Sequence, residues 1–63
     1  MVKVNGKFIE TNGKSVSELL IELGYNTARV AVELNEEILP KSKYDTVPKE
    51  GDNLEIVGFV GGG

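Results

Sequence analysis

The residues with chemistry to offer stand together in the run Phe59-Val60-Gly61-Gly62-Gly63, which closes on a glycine α-carboxylate. Glycine has no side chain to pack, ionise or be read. Its backbone, however, can pass through a channel too narrow for a Cβ and allows other backbone atoms to approach closely. From Phe59 to Gly63 such an arm reaches about 17 Å when extended. A carboxylate at its tip can enter an active site that belongs to another protein. The arm's conformational entropy is then a cost that the partner's contacts must exceed. Phe59 and Val60, at the base of the arm, offer apolar side chains to the mouth of that channel. The opposing reading is a loose or engineered end, since termini are commonly unstructured. Engineered tails are more often Gly-Ser, and this run follows a strand pattern with no linker between.

Elsewhere the side chains offer little chemistry. There is no cysteine and no histidine, which removes thiol nucleophiles, imidazole bases and the common zinc sites. Ser15, Ser17 and Ser42 have no partner base, and Lys41 and Lys43 beside Ser42 do not make a constellation. Glu36 and Glu37 are neighbours on a turn, where carboxylates face water, and 63 residues leave no room for a glycosidase-like cleft. Gly13-Lys14-Ser15 ahead of a helix resembles part of a phosphate-binding loop. The glycine that such a loop needs five residues earlier is Phe8, so a capped helix start is the expectation.

Ten acidic residues against seven basic ones give a net charge of −3. With no clustered Lys and Arg, nucleic acid is not an expected partner. Nothing in the sequence resembles a signal peptide or a membrane span, and the expected location is cytoplasmic. A domain of this length buries only about 60% of the surface its unfolded chain exposes, so its stability margin is thin.

The elements that must position the arm follow from periodicity. Val2-Lys3-Val4-Asn5 alternates, Asn5-Gly6 is a type I′ hairpin signal, and Lys7-Phe8-Ile9-Glu10 returns. Ser15 to Glu18 fits a capping box, and Val16, Leu19, Leu20 and Leu23 form one helical stripe that Gly24 ends. Arg29 to Leu34 predicts a strand with Val30, Val32 and Leu34 on one face. Asn35-Glu36-Glu37 predicts a turn, and Ile38-Leu39 a short strand stopped by Pro40. Lys41 to Thr46 is irregular with one turn of helix, Glu50-Gly51-Asp52 turns, and Asn53 to Val57 is the last strand. The fold class is α+β, with one helix on one face of a mixed sheet; if the last strand lies beside the first and parallel to it, both are interior, which is the ubiquitin-like β-grasp arrangement. Residues 1–58 form the domain, and 59–63 form an extended tail carrying the reactive carboxylate.

Together the hairpin, the capped helix, "VAVELNEEILPKSKY", "EGDNLEIV" and the terminal "GGG" resemble the ThiS family, the ubiquitin-like sulfur carriers of thiamin biosynthesis. The resemblance runs along the whole chain. It implies a carrier and not an enzyme. The Gly63 carboxylate would be adenylated by an E1-like adenylyltransferase of ThiF type, which uses ATP, while the carrier itself binds no cofactor or metal. Sulfur from a cysteine desulfurase, relayed through partner thiols, would displace AMP to leave a thiocarboxylate. Thiazole synthase, of ThiG type, would then take the sulfur. Gly62 and Gly61 would thread into partner active sites, with Phe59 and Val60 in partner contact. An apolar patch on the open sheet face, beside Phe59, is the expected docking surface for both partners.

Three other readings stand beside this one. The small subunit of molybdopterin synthase shares the fold and the diglycine end but tends to be longer. A ubiquitin-like modifier would place the Gly63 acyl group on a lysine amine. A passive β-grasp binding module would have no use for the tail.

Overall fold

The computed structural model describes residues 1–58. Strands β1 (Val2–Val4) and β2 (Lys7–Ile9) pair antiparallel, with Val2 opposite Ile9 and Val4 opposite Lys7. Asn5 and Gly6 between them take φ of 48° and 85°, the left-handed pair that a type I′ turn requires. Helix α1 (Val16–Glu22) follows. The Ser15 hydroxyl accepts from the Glu18 N–H at 3.2 Å while the Glu18 carboxylate accepts from the Ser15 N–H at 2.9 Å, a complete capping box.

Gly24 ends the helix at φ 89°. Its N–H donates to the Ile21 carbonyl at 3.0 Å, and the Tyr25 N–H donates to the Leu20 carbonyl at 2.9 Å, the nested pair of a Schellman motif. Leu23 is the C-cap residue and is 43% exposed. The buried stripe is therefore Val16, Leu19 and Leu20; expected Leu23 leaves it because the chain is already turning away.

Strand β3 (Val30–Leu34) begins one residue later than the alternation predicts. Arg29 belongs to a 3-10 turn, Thr27–Arg29, that the Asn26 side chain caps by accepting from the Ala28 N–H at 2.9 Å. Strand β4 (Glu37–Leu39) includes Glu37, so the turn before it has two residues and not the expected three. Those two, Asn35 and Glu36, have φ of 51° and 71°. Lys41–Lys43 forms the single helical turn expected in the irregular stretch, and Gly51 turns at φ 88°. Strand β5 (Asn53–Gly58) runs one residue past the prediction because Gly58 still pairs with Val30.

The sheet order is β2-β1-β5-β3-β4. β5 lies parallel to β1 and antiparallel to β3, which places both first and last strands in the interior of the sheet. With α1 on one face, this is the ubiquitin-like β-grasp. The core is Val2 and Val4 from β1, Val30 and Val32 from β3, Leu54 and Ile56 from β5, and Val16, Leu19 and Leu20 from α1. Tyr44 joins them at 7% exposure, and Pro48 is also buried. Burial pushes the Tyr44 phenol up, partly offset by its hydrogen bond to the Val32 backbone.

Candidate functional site: the exit of the central strand

The candidate site residues Phe59, Val60, Gly61, Gly62 and Gly63, and with them the 59–63 tail, lie outside the described residues. The strand that leads to them is described, and its surroundings decide how a tail is presented. β5 ends at Gly58 in the middle of the sheet. On one side Val57 and Gly58 pair with Ala31 and Val30 of β3. On the other side β1 supplies main-chain partners only as far as the Asn5 N–H, which donates to the Leu54 carbonyl at 2.9 Å.

A regular parallel ladder would next bring the Ile56 N–H to the main-chain carbonyl of the same partner residue. At Asn5 the chain turns left-handed, and its side chain takes over. Asn5 Oδ1 accepts from the Ile56 N–H at 2.7 Å. Its Nδ2 is shared, at longer range, between the Ile56 carbonyl at 3.3 Å and the Tyr25 hydroxyl at 3.4 Å. An N–H can only donate, so the amide oxygen must be the atom facing Ile56.

Asn35 does the equivalent at the far end of β5. Its Oδ1 accepts from the Asn53 N–H at 2.9 Å and its own N–H donates to the Asn53 carbonyl at 2.8 Å. Its Nδ2 donates to Asp52 Oδ1 at 3.0 Å, while Asp52 Oδ2 accepts from the Lys49 N–H at 2.8 Å. The Asn35 side chain first, and the Lys49 N–H second, hold the Asp52 carboxyl below the usual carboxylate range. Neither asparagine stands out in the sequence as more than a turn residue. The signal was there only in the positive φ that each turn demands.

The face of the sheet away from α1 carries the alternate residues: Lys3 opposite Phe8, Ala31 opposite Val57, and Glu33 opposite both Ile38 and Glu55. Phe8, Ile38 and Val57 are 65%, 77% and 53% exposed. The Lys3 ammonium lies 5.2 Å from the Phe8 ring centroid, a cation–π arrangement. The apolar groups expected on the open face are thus present but divided by Lys3, Glu33 and Glu55. On the helix side, a groove of about 280 Å³ is lined by Val4, Asn5, Lys7, Ile9, Leu23 and Tyr25.

Among the described residues no group of acidic side chains is placed to hold a metal ion, and no helix is long and apolar enough to cross a membrane. The described body thus holds β5 in the middle of the sheet, paired with β3 up to Gly58, the last described residue.

The family model that matches the chain is the ThiS family, over residues 2–63. The chain belongs to the ThiS family. The sulfur carrier protein ThiS of Thermus thermophilus is 39% identical, and the match covers 100% of both chains. The crystal structure of the thiamine biosynthesis protein ThiS from Geobacter metallireducens superposes with a TM-score of 0.75 at 39% identity. That superposition covers 98% of this chain and 97% of the other. A thiazole synthase of Paramagnetospirillum magneticum is 56% identical over 50 residues. That match takes in 78% of this chain, which spans only 15% of the length of that synthase.

Proposed function

We propose that this member of the ThiS family carries sulfur for thiazole formation on the carboxylate of Gly63, as the substrate of partner enzymes and not as a catalyst. The observation that carries the reading is a family match that runs through residue 63, together with a β-grasp body whose central strand β5 ends at Gly58, directly before the run Phe59 to Gly63 in the sequence. The chemistry sets the order of steps. A carboxylate is a poor acylating agent, so a Gly63 oxygen first attacks the α-phosphorus of ATP in an E1-like adenylyltransferase of ThiF type, and pyrophosphate leaves. A sulfur nucleophile, supplied by a cysteine desulfurase and relayed through partner thiols, then forms a C–S bond as the C–O bond to AMP breaks. Where that sulfur arrives as a persulfide, a further thiol supplies the electrons that free it as the thiocarboxylate.

Thiazole synthase is the proposed acceptor, and the likeness to part of a thiazole synthase supports the pairing. The same likeness favours the thiamine branch over the molybdopterin one. ATP belongs to the activating enzyme; the carrier itself needs no cofactor, and these reactions place it in the cytoplasm. Phe59 and Val60 are assigned to partner contact and Gly61 and Gly62 to threading, with Phe8, Ile38 and Val57 offering apolar anchors on the open face.

Deletion of Gly62 and Gly63 tests the reading. The shortened protein is expected to keep its fold by circular dichroism, to release no pyrophosphate from ATP with the adenylyltransferase, and to leave a carrier-null strain dependent on added thiamine. Growth without thiamine would overturn it.

A further inference from the structure

We infer that Asn5 is a positioning residue for the tail: its side-chain amide replaces the missing turn of the β1–β5 ladder and fixes the direction in which β5 delivers residues 59–63. This rests on the carrier reading above. Past Leu54, the β1 side of β5 has no main-chain partner from β1, because the chain has turned at Asn5-Gly6. The 2.7 Å bond from the Ile56 N–H to Asn5 Oδ1 fills that gap two residues before the strand ends at Gly58. Tyr25, held by the Schellman turn at the end of α1, meets the same amide. Hairpin, helix end and exit strand therefore converge on one side chain.

A strand held on both sides leaves its final residues with less freedom to sweep the arm around. An arm whose base is directed loses less entropy on entering a narrow channel. The gain belongs to docking and not to the chemical step, because a seated tail is held by the enzyme.

Asn35 supplies the matched control. It too is left-handed and bonds β5 main chain, but it follows the antiparallel partner β3 and its bond is to Asn53, away from the exit. Glycine fits either backbone, so Asn5→Gly and Asn35→Gly each remove the side-chain bonds while keeping the turn. Both are assayed as full-length proteins with the E1-like adenylyltransferase and ATP, at a temperature where circular dichroism shows each fully folded.

Asn5→Gly is expected to raise the KM for the carrier about fivefold, the cost of ordering about one further backbone residue on docking, with kcat unchanged. Asn35→Gly is expected to leave KM at the wild-type value, and Asn5→Asp, which keeps the acceptor oxygen but sets a second oxygen against the Ile56 carbonyl, to fall between wild type and Asn5→Gly. Amide hydrogen exchange provides a partner-free arm: Asn5→Gly should speed exchange at Ile56 to Gly58, and Asn35→Gly at Asn53. A wild-type KM in Asn5→Gly, or an equal rise in Asn35→Gly, overturns the inference. If the wild-type tail is not adenylated at all, the carrier reading fails. The exchange comparison then still decides the brace, and unaltered exchange at Ile56 to Gly58 in Asn5→Gly sinks it.

Discussion

Glu36 holds φ at 71°, in the left-handed region where a side chain crowds the following carbonyl. The register of the β3–β4 hairpin, with Leu34 opposite Glu37, leaves two residues for the turn and demands that conformation. Glu36→Gly is expected to raise stability by about 0.5–1 kcal/mol, the relief of strain less glycine's entropy when unfolded. A thermal melt would show this as an upward shift of a few degrees, by about 4–8 °C per kcal/mol for a domain this small. The sequence shows why this turn is harder to read than the first. Asn5-Gly6 carries both left-handed residues in its composition, whereas Asn35-Glu36 carries only one, and an extra turn residue is the natural expectation.

Asp52 makes the acid side of the stability curve testable. Its folded pKa is depressed by Asn35 and the Lys49 N–H, so as pH falls the unfolded chain takes up the proton first. The stabilisation is fully present above the unfolded pKa and is lost as pH falls through the folded one. Glu18 acts in the same sense, lowered by the Ser15 main-chain N–H and then by its hydroxyl. Asp52→Asn should be less stable than wild type at neutral pH and should lose less on acidification. Urea midpoints at neutral and acid pH measure both, and equal acid losses would contradict the assignment.

The elements follow from local rules where those rules are written in the residues. The capping box of Ser15 and Glu18, the Gly24 stop and the alternation of β3 and β5 were all legible because each depends on residues close in sequence. Ser15→Ala is expected to cost about 1 kcal/mol through the lost cap, read from the urea midpoint. The parallel pairing of β1 with β5, which makes β5 central, is a long-range contact that alternation alone does not contain. It enters only with the β-grasp arrangement, in which the last strand lies beside the first and parallel to it. Asn5 was legible as a turn residue but not as a brace, since its partner Ile56 is distant in the chain. The role proposed for residues 59–63 rests on the element before them: β5 is a central strand, paired with β3 up to Gly58, and not an edge strand.

For the whole molecule, the irregular stretch after Pro40 contributes more than its pattern suggests. Tyr44 closes the core from a segment without periodicity, where no spacing announces a buried position. Tyr44→Ala is expected to cost about 3–5 kcal/mol, against a total of about 3–9 kcal/mol for a domain of this size. The thermal midpoint read by circular dichroism should then fall by well over ten degrees, at about 4–8 °C per kcal/mol. The open face is the other whole-molecule property. Phe8, Ile38 and Val57 are interrupted by Lys3, Glu33 and Glu55, and the like charges Glu33 and Glu55 stand directly opposite each other across β3 and β5. Such a pair costs stability in the isolated protein.

The carrier account stands or falls on what Gly63 bears in the cell. Intact-mass spectrometry of the protein purified from cells making thiamine, with fragmentation to place the change, measures that directly. The account predicts a population heavier by the exchange of one oxygen for one sulfur, with the added mass confined to the Gly63 carboxyl. A terminal carboxylate unmodified under every condition of thiamine demand, or a Gly63 found instead in amide linkage to lysines of other proteins, would contradict it.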